Sequence, residues 1–331
     1  MGQLENGRWV RAPVARIRDG AFDRPDSSFR SWVTPDGRPG PTGEGGFAAE
    51  SGRYHLYVSY ACPWAHRTLI VRELKDLRDH IGVSVVHPDM LDEGWTFETD
   101  FPGATGDTLM DLSHLHQVYT RADPQATTKV TVPVLWDSAR GTIVSNESSE
   151  IIRMMTSAWD GLTGNRLDLW PEDLREAMEP VNARVYDTVN NGVYRAGFAQ
   201  SQAAYDEAVH ALFDSLDWLE ERLGAQRWLM GDRFTEADIR LWTTLVRFDT
   251  VYHGHFKCNR RKLIEYPALW AFVRDLHAVP GVADTLRLDH IARHYHYSHD
   301  GINPTRIVPV GPDLDLSAPH GRDALGPPAL A

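Results

Sequence analysis

Only two cysteines, Cys62 and Cys258, occur in 331 residues. That is too few for a disulfide framework, though a single bridge between them stays open at this level. Lysine is nearly as scarce: Lys75, Lys129, Lys257 and Lys262 stand against thirty arginines. The first ten residues have no apolar signal core, and no run approaches the ~18 apolar residues of a membrane span. Gly2 follows Met1, but Asn6 stands where a myristoylation motif requires Ser or Thr. Excess positive charge is missing too. A net charge of -12 argues against nucleic acid or an anionic membrane as partner, because both favour basic surfaces. These absences lead to the expectation of a soluble cytoplasmic protein.

What is present suits folded domains. The chain is long enough for two cores, and its 42% hydrophobic and 10% aromatic content argues against disorder. Residues 1–50 are rich in Gly, Pro, Arg and Asp, with Trp9, Phe22, Phe29 and Trp32 scattered among them. Turn signals at Thr34-Pro-Asp-Gly-Arg-Pro-Gly-Pro41 mark this as an irregular extension that wraps another part of the chain. Regular structure begins at Tyr54-His-Leu-Tyr-Val-Ser-Tyr60, an alternating strand pattern. Cys62-Pro63-Trp64 and a helical pattern to Leu77 follow, then a strand over 81–87 and a long loop over 88–128 carrying Trp95. A loop of that length inside a compact domain is often functional. A strand over 131–136 opening at a proline, a strand at 142–145 and a helix at 151–155 complete the order β–Cys–α–β–loop–β–β–α. That order predicts a thioredoxin-like domain over 51–160. Helical spacing at 174–189, 201–223, 235–248 and 267–276 then predicts an all-helical domain over 165–290, and 291–331 reads as an ordered C-terminal arm. The predicted class is thus α/β plus all-α, with extensions at both ends.

Cys62 is the first candidate for chemistry. It follows a strand and precedes Pro63, a residue tolerated at the first helical position because that N–H has no intrahelical partner. A helix N-terminus carries partial positive charge and free N–H groups, which favour a thiolate over a thiol. Ala65 fills the second position of a Cys-x-x-Cys pair, so the site requires an external thiol to reset. The plain alternative, a buried core cysteine, fits this context poorly. Val132-Pro133 opens a strand at the place where thioredoxin-like domains keep a cis-proline opposite the cysteine, and the cis form is expected. Glu147-Ser148 lies where a strand meets a helix. Backbone N–H groups and the Ser148 hydroxyl there suit a carboxylate, and Glu147 suits an amino group, so the pair would hold the α-amino acid end of a γ-glutamyl ligand. Plain capping by Asn146, Ser148 or Ser149 is the simpler role and is compatible with the first. Thr235-Glu-Ala-Asp238 is a capping box ahead of an apolar run. His294, His296 and His299 raise the question of a metal, but their spacing, with no carboxylate partner set, favours hydrogen-bonded histidines, and no metal is expected. The pairs His114/His116 and His253/His255 are weaker still. Tyr194, Tyr295 and Tyr297 offer phenols as donors.

Several segments, in order and spanning most of the chain, carry a family pattern. They are Tyr60-Ala-Cys-Pro-Trp-Ala-His-Arg67, Ser84-Val-Val-His-Pro88 with Gly94-Trp-Thr-Phe97, and Val130-Thr-Val-Pro-Val-Leu-Trp136. Ile143 to Ile152, Asn191-Gly-Val-Tyr-Arg-Ala-Gly-Phe198 and Ile302 to Pro312 complete the set. Together they resemble the glutathionyl-hydroquinone reductases, the Xi-class glutathione transferases. The resemblance implies a glutathione-transferase helical domain after the thioredoxin-like one, and glutathione as co-substrate. Cys62 would attack the sulfur of a glutathionyl-hydroquinone, and a second glutathione would resolve the mixed disulfide. Trp95 would stack on glutathione, Val132 and Pro133 would meet its cysteinyl backbone, and Glu147 and Ser148 its γ-glutamyl end. Tyr194 and Tyr295 would bind the oxygens of the aromatic substrate. A homodimer is also implied.

Two departures stand out. Lys129 replaces an arginine of the pattern and loses the bidentate fork for a carboxylate. Tyr295-His296-Tyr297 replaces two adjacent tyrosines, which leaves open which ring faces the substrate. An arginine-rich composition also raises mycothiol as an alternative thiol. An omega-like thiol transferase or dehydroascorbate reductase is the rival enzyme, and a transferase-fold binding protein the non-enzymatic reading.

Overall fold

The computed structural model describes residues 2–13, 16–18, 20–23 and 25–330. In chain order the strands are β1 (Gly2–Glu5), β2 (Arg8–Arg11), β3 (Arg16–Arg18), β4 (Ala21–Asp23), β5 (Tyr54–Val58), β6 (Ile81–Val85), β7 (Met90–Leu91), β8 (Gly94–Trp95), β9 (Val134–Asp137) and β10 (Thr142–Ser145). The α-helices are α1 (Pro63–Leu74), α2 (Leu115–Ala122), α3 (Ser148–Ser157), α4 (Asp160–Thr163), α5 (Arg175–Arg184), α6 (Gly192–Gly197), α7 (Gln202–Ala225), α8 (Glu236–Leu245), α9 (Pro267–His277) and α10 (Leu288–Ser298). The chain divides into two compact units. One comprises Met1–Val14, Pro25–Leu167 and Asp289–Asp300; the other comprises Ala15–Arg24, Asp168–Leu288 and Gly301–Ala331.

The first unit is built on a sheet of order β10-β9-β5-β6, in which only the β5–β6 pair is parallel. This is the thioredoxin-like arrangement. β5 is expected to alternate between buried and exposed residues, yet all five of its residues are buried, because the strand lies between β6 and β9 in the middle of the sheet. Helices α1 and α3 pack against each other. Pro63 opens α1 as its spacing predicts, and Lys75, almost wholly buried, closes it. The Lys75 ammonium donates to the carbonyls of Asn165 (3.0 Å) and Leu167 (2.8 Å) and pairs with Asp160. A buried ammonium is tolerable only with such partners. The segment read as a loop over 88–128 contains the β7–β8 hairpin and helix α2.

Residues 1–50 are less irregular than expected. β1 and β2 form a hairpin, and Leu4 exchanges backbone hydrogen bonds with Thr128. Residues 29–31 run beside β10, with Ser31 N–H donating to Val144 and Asn146 N–H to Phe29. The β3–β4 hairpin belongs to the second unit, where Phe22 stacks on Tyr194 and Phe198. The start of the expected C-terminal arm is helix α10, most of which belongs to the first unit.

The second unit is helical. The helix expected over 174–189 is α5 followed by a wider π-type stretch, Val185–Asn190, and the short α6 lies beyond it. The Thr235–Asp238 capping box is present at α8. At the end of α7, the buried Arg322 donates to the carbonyls of Leu223, Gln226 and Arg227. Those groups lack intrahelical partners, and a guanidinium from the chain's far end meets them. Among the described residues, no helix is long and apolar enough to cross a membrane.

Candidate active site

Cys62 stands at the N-cap of α1 in an extended conformation, with Pro63 in the first turn behind it. The turn from β5 is fixed by Ser59, whose carbonyl accepts from Cys62 N–H (3.2 Å) and whose hydroxyl accepts from Ala61 N–H (3.2 Å). The thiol is half-buried and not in a disulfide, and its S–H donates to the Val132 carbonyl at 3.5 Å. The Val132–Pro133 peptide is cis, as expected. The sulfur therefore sits at the positive end of a helix, beside a strand entry with backbone groups to offer. A helix N-terminus attracts negative charge.

A second cluster lies at the start of α3. Glu147 is itself the N-cap, in place of Asn146, Ser148 or Ser149, the residues that the sequence offers for capping. A carboxylate with a free rotamer reaches the N–H two residues on, and Glu147 accepts from Ser149 N–H (3.0 Å) and the Ser149 hydroxyl (2.9 Å). The Ser27 hydroxyl donates to its other oxygen at 3.0 Å. Burial alone would push the Glu147 carboxyl up, but these hydrogen bonds and the Arg67 charge outweigh it and hold the group below the usual carboxylate range. The buried Ser148 hydroxyl accepts from the Arg67 guanidinium at 3.4 Å, and that guanidinium also lies over the Trp64 ring. Neither Arg67 nor Ser27 was assigned a role from sequence. Arg67 lies within the Tyr60–Arg67 motif, which is a usable signal; Ser27 carries none.

The two clusters are tied by Tyr119 of α2, which sequence reading also missed. Its wholly buried hydroxyl donates to the Thr131 carbonyl (2.8 Å) and accepts from Thr131 N–H (3.2 Å) and the Asn146 side-chain amide (3.1 Å).

The remaining predicted residues fall in different places. The Trp95 ring is buried and stacks on His294 at 4.7 Å, so one face is already occupied. His294 is fixed by the Pro88 carbonyl (2.8 Å). His290 is held in the same way by the Pro102 carbonyl (2.8 Å). Arg293 of the same helix donates through Nε and Nη2 to the two carboxylate oxygens of Asp89. Lys129 donates to the Pro13 carbonyl at 3.0 Å, and burial pushes its ammonium down. Tyr295 is buried against His294 and His299, whereas Tyr297 is half-buried beneath the Arg293 guanidinium. Tyr194 lies in the second unit, half-buried among Phe22, Phe198, Tyr252 and Phe256.

Known proteins share this arrangement of chain. The glutathione S-transferase N-terminal domain model matches residues 61–158 and the C-terminal domain model residues 202–275. The glutathionyl-hydroquinone reductase YqjG of Escherichia coli K12 is 56% identical over 324 residues, 98% of this chain and 99% of its own. The chain belongs to the glutathionyl-hydroquinone reductase family, the Xi-class glutathione transferases. Another member, PcpF of Sphingobium chlorophenolicum, is 49% identical over 96% of this Xi-class chain and 98% of its own. The glutathione-bound structure of YqjG aligns with a TM-score of 0.91 at 55% identity, over 97% and 99% of the two chains. A Xi-class transferase from Natrialba magadii aligns with a TM-score of 0.89 at 48% identity, over 98% of each.

Proposed function

We propose that this protein reduces glutathionyl-hydroquinones to hydroquinones, with glutathione as the second thiol and Cys62 as nucleophile. The observation that carries the reading is the half-buried Cys62 thiol at the N-cap of α1, facing the Val132 carbonyl. The high identity to two proteins named for this reaction supports it.

In the reaction, the Cys62 thiolate forms a bond to the glutathione sulfur of the conjugate. The sulfur–carbon bond of the thioether breaks, its electron pair stays on the ring carbon, and that carbon takes a proton. A second glutathione thiolate attacks the Cys62–glutathione disulfide, giving oxidised glutathione and free Cys62. One conjugate and one glutathione thus yield one hydroquinone and one oxidised glutathione. Val132 and Pro133 receive the cysteinyl backbone, and Glu147 and Ser148 the γ-glutamyl end. Trp95 stacks on glutathione with the face that His294 leaves clear, and Lys129 adds positive charge for its carboxylates. Tyr295 donates to the substrate's oxygens and assists protonation. The working form is a cytoplasmic homodimer.

The test is turnover of glutathionyl-menadiol with excess glutathione, followed by chromatography. Menadiol release matched by oxidised glutathione, and abolished in Cys62→Ser, is the expected result. Turnover only with a mycothiol conjugate would change the thiol and keep the chemistry. Inactivity with both conjugates would return the protein to the thiol-transferase class.

A further inference from the structure

The Tyr119 hydroxyl is a junction between two stretches of chain that are far apart in sequence. A phenolic oxygen offers one hydrogen and two lone pairs, and Tyr119 uses all three. It donates to the Thr131 carbonyl, accepts from Thr131 N–H and accepts from the Asn146 amide. Thr131 directly precedes Val132-Pro133, and Asn146 directly precedes Glu147-Ser148. The junction is braced from the N-terminal extension as well. Phe29 packs edge-on against the Tyr119 ring at 5.8 Å, its N–H donates to the Asn146 side-chain oxygen (3.1 Å), and its carbonyl accepts from Asn146 N–H (3.2 Å). Because Tyr119 is wholly buried, these bonds lie in a low-dielectric setting where an unmade partner is costly.

We infer that Tyr119 is a positioning residue that sets the distance between Val132 and Glu147–Ser148, and so selects thiol conjugates carrying a γ-glutamyl group. The inference rests on the reading that Val132 meets the cysteinyl backbone while Glu147 and Ser148 hold the γ-glutamyl end. In a γ-glutamyl-cysteinyl unit two methylenes and one planar amide separate those two points, so the span it can bridge is limited. A site that grips both ends gains affinity only if its own two ends are held at that span. A conjugate lacking the γ-glutamyl group needs only the Val132 end and is indifferent to the spacing.

Tyr119→Phe removes one oxygen and keeps the ring, so the packing against Phe29 survives. The kcat/KM of the full-length variant is measured for glutathionyl-menadiol and for the menadiol conjugate of cysteinylglycine, with glutathione saturating as second thiol. The expected result is a fall of about tenfold in the ratio of the two values, the effect of one lost hydrogen-bond equivalent. Thermal midpoints recorded alongside separate this from loss of folded protein. An equal fall for both conjugates, or a lower midpoint with the ratio intact, would overturn the inference by making Tyr119 purely structural. Ser148→Ala is the companion variant. If it collapses the ratio and Tyr119→Phe does not, the positioning role fails while the reading of the site stands. If neither variant changes the ratio, the γ-glutamyl assignment fails and the positioning role fails with it.

Discussion

The two cysteines share a side chain and differ in everything that decides reactivity. Cys62 is half-buried at a helix N-terminus, with its sulfur directed at the Val132 carbonyl. Cys258 is completely buried in the second unit; its S–H donates to the Phe256 carbonyl at 3.8 Å, and burial pushes its thiol far above the usual range. One sulfur is placed where negative charge is favoured and a ligand can approach. The other is a small apolar filler. Location, and not residue type, separates the two sulfurs.

The sharpest way to break this contrast is to exchange the sulfurs for oxygen or hydrogen. Cys62→Ser should lower turnover of glutathionyl-menadiol by about a thousandfold or more, whereas Cys258→Ala should stay within about twofold of wild type. Comparable losses in both would show that the second cysteine shares the chemistry. Alkylation reads the same contrast without substitution. In the native protein, iodoacetamide should modify Cys62 about a hundredfold faster than Cys258, and in denaturant the rates should converge, as peptide mass spectrometry will show.

The polar surroundings of Cys62 give the next effect. Glu147→Gln should raise the KM for the glutathionyl conjugate by about tenfold while kcat changes less, since the carboxylate is assigned to the ligand's amino group. The same variant has a pH signature. Against the cost of burial, the hydrogen bonds from Ser149 and Ser27 hold the Glu147 carboxyl below its unfolded value. Its contribution to stability is therefore complete above the ordinary glutamate value of about 4.5 and is lost as pH falls through the lower folded value. A plot of thermal midpoint against pH should have a flatter acid limb in Glu147→Gln. The smallest effect belongs to Cys258→Ala, which opens a small cavity and should cost about 1–2 kcal/mol, read from chemical denaturation, without touching KM.

Much of the fold was legible because its signals are local. Pro63 at a helix start, the apolar run at Tyr54, and the Thr235–Asp238 capping box each depend on residues within a turn or two of one another. The same locality explains the errors. Helix α2 lies in a segment whose Gly, Asp and Thr content reads as loop; the Gln117 side chain caps it by accepting from His114 N–H, and Leu115, Val118 and Tyr119 form its buried face, packed against β8 and β10. Helix α10 begins where polar residues suggested an arm. It is helical because His290, Arg293, His294 and Ser298 all find partners on residues 88–102. The tail histidines looked like a weak metal motif. Of His294, His296 and His299, His294 is instead held by the Pro88 carbonyl and stacks on Trp95.

By itself the sequence determined that Cys62 follows a strand and caps a helix, that Val132-Pro133 and Glu147-Ser148 belong to the same domain, and that a helical domain comes after. Those properties follow from short-range rules of backbone sterics and capping. Only the tertiary structure decided that Arg67 reaches Ser148, that Ser27 reaches Glu147, and that the Tyr119 hydroxyl joins Thr131 to Asn146. A hydrogen bond between residues 81 or 120 positions apart leaves no periodicity and no spacing in the chain. It exists only once the buried apolar core has brought the two ends within 3.5 Å, and burial then makes each bond obligatory.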